Sequence, residues 1–96
     1  MFILGNMECL VDPQGVDYTG HINFVVSGIT CQRWDAQTPH SHARLASQFA
    51  EDSLSETGNY CRNPDWDTGP WCYTVDPNVR WGFCHIPLCQ TGMCIL

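Results

Sequence analysis

The stretch Asn63-Pro-Asp-Trp-Asp-Thr-Gly-Pro-Trp-Cys-Tyr-Thr74 sets two carboxylates, Asp65 and Asp67, one residue apart, then two large rings, Trp71 and Tyr73, again one residue apart. Carboxylates pair with cations, while aromatic faces cover alkyl chains and add cation–π attraction. In an extended Trp71-Cys72-Tyr73 segment, alternation sends Cys72 inward and puts both rings on the opposite face, in the open. On residue types alone such a strip raises the question of what would need two carboxylates beside an aromatic face. Plainer readings stand beside it: an aspartate in a turn usually bonds its own backbone, and tryptophan in a small domain usually packs into the core.

Whatever positions these residues must be small. Ninety-six residues make one domain at most, and a chain this size usually needs covalent or metal staples. Seven cysteines, at 9, 31, 61, 72, 84, 89 and 94, supply them, and their density reads as a disulfide framework from an oxidising, extracellular or secreted setting. A zinc knuckle is the rival reading. With no Cys-x-x-Cys pair in the chain, its ligands would have to come from distant parts, so no metal is expected. His40-Ser-His42 would put two imidazoles on one side of a strand, which is too few for zinc without a third ligand nearby.

The net charge of −6 comes from ten acids against four arginines, with no lysine at all. That balance argues against nucleic acid and anionic membrane surfaces and favours a cationic partner. No segment is apolar enough to insert into a membrane. The opening Met1-Phe-Ile-Leu-Gly-Asn is too short and lacks the basic residues of a secretory leader, so a secreted origin would make this chain an excised module.

Turn signals recur along the chain, as in Asp12-Pro13-Gln14-Gly15, Ser27-Gly28, Thr68-Gly69-Pro70 and Asp76-Pro77-Asn78. They leave room only for short strands, expected at Phe24 to Val26, Trp71 to Val75 and Val79 to Phe83. Ala46, Phe49 and Ala50 fall at helical offsets and predict one or two turns of helix within Ala43 to Ala50. Residues 51–58 read as a polar loop, and the first eight and last seven residues as tails.

Taken together, Tyr18-Thr-Gly20, Cys31-Gln-Arg-Trp34, Pro39-His40, Asn59-Tyr-Cys-Arg-Asn-Pro-Asp65, Gly69-Pro-Trp-Cys-Tyr73 and Arg80-Trp-Gly-Phe-Cys-His-Ile-Pro-Leu-Cys89 resemble a kringle domain spanning residues 9–89. The resemblance is to the lysine-binding type found in plasminogen-like proteins. It implies a disulfide-rich fold, mostly loops with short antiparallel β-ribbons, and the pairings Cys9–Cys89, Cys31–Cys72 and Cys61–Cys84. Six cysteines by themselves leave the pairing open. In the chain-entropy model each such cross-link raises stability by roughly 3–5 kcal/mol, without simple additivity. Trp34 and Tyr60 are the rings expected to pack against the disulfides.

The same resemblance implies a shallow trough. Asp65 and Asp67 match its anionic pair, Trp71, Tyr73 and Trp81 its aromatic walls, and Arg80 and Arg44 its cationic positions. Strict alternation would send Arg80 and Trp81 to opposite faces, so it is the resemblance that brings them together. Each type suits a zwitterion with its charges a methylene chain apart: aspartate for the ammonium, rings for the stem, and the planar arginine fork for a carboxylate. Lysine-bearing proteins, free lysine and lysine analogues are the implied ligands. Lacking lysine, the chain is not expected to fill its own trough with one. Several features depart from the family's pattern: Trp66 stands between the aspartates, where family members carry something smaller, the stretch Ala46 to Gly58 lacks the usual prolines and an insertion precedes Asn59, and Gly82 and His85 replace residues that are commonly acidic.

Nothing in the chain reads as a nucleophile motif, so no enzyme and no cofactor are expected, although a parent protein could carry a protease or kinase domain. His40 belongs to the Pro-His pattern and is expected to be hydrogen-bonded and structural. Cys94, left odd, has three expected fates: an intermolecular disulfide, a bond to a neighbouring domain, or a free thiol. The alternative function is a structural or protein–protein kringle of a growth-factor or receptor ectodomain, without lysine affinity. Gly15-Val-Asp-Tyr18 and the long loop before Asn59 lean that way, whereas the aspartates and arginines lean towards lysine binding.

Overall fold

Turns interrupt this chain every few residues, so its backbone hydrogen bonds are spent in bends and isolated bridges more than in ladders. Asp12 shows the pattern: its carbonyl accepts from Gly15 N at 3.1 Å and its Oδ1 accepts from Gln14 N at 2.9 Å. Gly15 closes that turn at φ 62°. A Cβ there would lie 2.8 Å from both Leu10 Cδ2 and Pro70 Cγ, so the position needs glycine for conformation and for space.

The computed structural model describes residues 8–89. Residues 1–7 and 90–96, among them Cys94 and all but Glu8 of the two expected tails, lie outside the described residues. Strand β1, Trp71–Tyr73, pairs antiparallel with β2, Trp81–Phe83, in the register Trp71↔Phe83, Cys72↔Gly82, Tyr73↔Trp81. Isolated bridges Arg62↔Trp71 and Cys31↔Thr74 dock two further segments on β1, and a parallel bridge Leu10↔Leu88 brings the ends of the domain together. Gly82 serves close packing: a Cβ would come within 3.1 Å of Val25, whose side chain is buried.

Cys9–Cys89, Cys31–Cys72 and Cys61–Cys84 are bonded, with Cα separations of 5.1, 5.7 and 6.4 Å. The sulfurs of the last two bridges lie within 4.8 Å of one another and form the centre of the core. Bonded in pairs, they are not the thiolates that zinc requires. Trp34, 1 % exposed, is the organic half of that centre, with its ring 4.8 Å from Phe49, 5.3 Å from Trp71 and 5.7 Å from Tyr73. Its Nε1 donates to the Tyr60 carbonyl at 2.7 Å.

Several sequence expectations shift. Both strands are shorter than expected, because Thr74 turns its hydroxyl to the Val79 and Asp76 carbonyls and closes the connection early. Phe24 to Val26 is no strand. Phe24 bridges only Thr30 around the Ser27-Gly28 turn, and of the three residues Val25 alone points inward. The Ala43–Ala50 helix is a single 3-10 turn, Ala46–Gln48, with Phe49 buried behind it. The polar loop contains α1, Leu54–Thr57, capped where Ser53 Oγ accepts from Glu56 N. Tyr60 stays half-buried outside the core cluster, edge-on to His21, and Phe49 takes the expected place beside Trp34.

A second, polar anchor holds the segment 51–58 to the body. Buried Arg62 donates to Glu51 at 2.7 Å, to the Gly20 and Cys61 carbonyls at 2.9 and 2.7 Å, and lies between the Tyr18 and Tyr60 rings. Burial alone would raise the Glu51 carboxyl, but the bonds and charge of Arg62 bring it below its ordinary value.

Candidate functional site

All seven residues singled out in the sequence, Arg44, Asp65, Asp67, Trp71, Tyr73, Arg80 and Trp81, line one open cavity of about 320 Å³. The anionic end is built by the turn 63–68. Asn63 Oδ1 accepts from Asp67 N at 2.8 Å while its Nδ2 donates to the carbonyls of Asp67 and Gln14, which fixes the turn to the body. Between the aspartates, Trp66 adopts φ 60°, a left-handed conformation uncommon for a bulky residue. That twist throws the Trp66 ring outward, 70 % exposed, and lets the residues on either side of it face the same cavity. Asp65 Oδ1 accepts from Trp71 Nε1 at 3.0 Å, and Asp67 Oδ1 from Thr68 N at 2.7 Å.

The aromatic wall differs from the sequence expectation in one respect. Trp71 and Tyr73 do share a face of β1, ring centroids 5.0 Å apart, with Cys72 turned to its disulfide. They do not lie in the open, being only 4 % and 6 % exposed. Trp34 packs under both, and His42 stacks flat on Tyr73 at 4.9 Å and 8°. The open ring is Trp81, 44 % exposed, edge-on to Trp71 at 5.9 Å.

The arginines lie over the rings. Arg80 lies 5.0 Å over the Tyr73 ring and donates to the Ser41 carbonyl at 2.9 Å. By reaching over Tyr73 it shares the cavity with Trp81, which alternation alone would not give. Arg44 reaches the anionic end: its guanidinium sits 5.2 Å over Trp71, its Nη2 is 3.5 Å from Asp65 Oδ2, and its Nε is 3.5 Å from the Tyr73 hydroxyl. The chain has no lysine for its trough, but it lays an arginine there instead.

His42 is the member of this group that sequence reasoning missed as a contributor. Read as half of a metal pair, it is instead the packing plate behind Tyr73, and its Nδ1 accepts from Arg44 N at 3.2 Å. Burial holds its imidazole below the ordinary value, and the Arg44 and Arg80 cations act in the same sense. His40 is buried, its Nε2 2.8 Å from the Asp76 carbonyl and its N–H donated to Gln32 Oε1, as a structural histidine should be. The spacing of His40, His42 and Arg44 two residues apart was the signal available for His42.

A three-disulfide core, a short two-stranded ribbon and otherwise mostly loops define a class, and the model of the kringle domain matches residues 9–89. The chain belongs to the kringle family, whose domains are non-catalytic modules of extracellular proteins that typically bind other proteins. Apolipoprotein(a)-like protein 2 of Homo sapiens is 49 % identical over 83 residues, 86 % of this chain. The chain spans 61 % of that relative's length. Among the described residues no helix is long and apolar enough to cross a membrane.

Proposed function

We propose that residues 9–89 form a secreted recognition module that docks lysine side chains, or C-terminal lysines, of protein partners. The observation that carries this reading is the convergence of two carboxylates, three rings and two guanidinium groups on one cavity. An ammonium would take Asp67, with Asp65 beside it, its stem would run along the Trp71–Trp81 corner, and a carboxylate would meet Arg80. The segment 90–96 is a tail in this reading, its Cys94 available to another chain or a neighbouring domain, whereas Glu8, expected in the N-terminal tail, is bonded to Tyr18 and His21.

The experiment is calorimetric titration of the oxidised domain with 6-aminohexanoate, beside an Asp67→Asn variant. Saturable binding that the variant loses supports docking. No heat at millimolar ligand, from a domain shown to be folded and correctly bridged, retires it in favour of a protein-contact module without lysine affinity. That second reading draws on the exposed strip of Trp81, Phe83 and Leu88, which lies partly outside the trough.

A further inference from the structure

We propose that Arg44 is a latch, an internal cation that competes with the ligand and thereby sets which lysines the trough accepts; this deepens the docking reading and rests on it. A cationic residue serving only a ligand's carboxylate would wait at the end of the trough away from the aspartates. Arg44 does the opposite. Its guanidinium has an aromatic face, Trp71 at 5.2 Å, and a carboxylate, Asp65 at 3.5 Å, which are the two partners an incoming ammonium needs. The Arg44 and Asp65 side chains are 24 % and 34 % exposed, so the contact is open enough to exchange with solvent and ligand.

The second guanidinium is placed differently. Arg80 is tied to the Ser41 carbonyl and lies over Tyr73, away from both aspartates in its bonding. Asp67 is satisfied on one oxygen by its neighbour's N–H and makes no ion pair with an arginine among the described residues. An ammonium arriving at Asp67 therefore meets one free carboxylate and one engaged by Arg44. To use both, and the Trp71 face between them, it must displace Arg44.

Displacement has opposite consequences for two kinds of lysine. A ligand that ends in a carboxylate gives the released guanidinium a new anion, in a geometry the planar fork can grip. An internal lysine gives it none, so the Arg44–Asp65 and Arg44–Trp71 contacts are lost without replacement. The latch thus converts a site that could hold any ammonium into one that favours zwitterionic ends. Without it, the aspartates and rings alone would take plain amines better than they do now.

The test compares the wild-type domain with Arg44→Gln, each titrated with pentylamine and with 6-aminohexanoate. The latch requires pentylamine to bind about three- to tenfold more tightly to the variant, while 6-aminohexanoate binds no better or more weakly. Unchanged or weaker pentylamine binding in Arg44→Gln overturns it, leaving Arg44 as an ordinary carboxylate partner. NMR decides independently of any ligand. In the free domain the Arg44 δ-protons must show Overhauser contacts to the Trp71 ring, and their absence from a folded domain overturns the latch even if 6-aminohexanoate binds. Contacts present in a domain that binds neither amine in either form would sink the docking reading, and with it the latch as a selector of ligands.

Discussion

Trp71 donates its indole N–H to Asp65 at 3.0 Å, so one wall of the trough holds the anionic end in place. The bond also joins strand β1 to the turn 63–68, two segments that otherwise meet through the Arg62↔Trp71 bridge. Asp65 is thereby left with one oxygen directed at cations, and Arg44 uses it.

Replacing Trp71 by Phe keeps a ring but removes that donor and some core volume. Stability should fall by about 2 kcal/mol. Affinity for 6-aminohexanoate should fall by about tenfold, because the Asp65 carboxylate loses its orientation along with the larger ring face. Thermal unfolding and calorimetry on the same preparation check both; a variant that keeps full affinity would show that Asp65 needs no such support.

Trp81 should separate binding from folding. Its ring is 44 % exposed and packs by edges on Trp71 and Phe83. Trp81→Ala is expected to weaken 6-aminohexanoate by about tenfold while changing stability by less than about 1 kcal/mol. Equal losses in both would place this ring in the core rather than the site.

Acid should loosen the segment 51–58 before it loosens the disulfide centre. Burial opposes ionisation of Glu51 and Glu8, yet hydrogen bonds hold both carboxyls below their ordinary values, from Arg62 and Thr57 for Glu51 and from His21 and Tyr18 for Glu8. A depressed folded value means stability that is present above the unfolded value and lost as pH falls through the folded one. The loss should therefore set in as pH falls through the unfolded glutamate value of 4.5 and be complete below the folded ones. Glu51→Gln, which leaves Arg62 buried without its anion, should cost about 3 kcal/mol at pH 7 and flatten the acid limb of the thermal-stability curve. An acid limb as steep as the wild type's would assign the effect to other carboxylates.

The sequence was most legible where chemistry is covalent or motif-bound. The three bridges, the buried Trp34 and the gathering of seven named residues round one cavity all follow from cysteine, turn and ring positions that resemble a known pattern. Exposure was less legible, because alternation says which rings share a face and says nothing of what covers them. Trp71 and Tyr73 were expected in the open and are roofed by two arginines and floored by Trp34. Helix α1 went unread although Ser53-x-x-Glu56 is a start signal, since four residues carry no period. The position of Arg44 depended on a long side chain choosing between two partners, a choice made in three dimensions.

Leu10 and Leu88 run in parallel beside the Cys9–Cys89 bond, whose Cα atoms are 5.1 Å apart. A chain entering at one and leaving at the other keeps its heading, with the residues between them hung alongside as a closed pendant. Tension applied through flanking segments would cross from Cys9 to Cys89 through a covalent shunt. The cavity, lined by residues between 44 and 81 inside that loop, would then carry none of the load and keep its shape while the two ends are pulled.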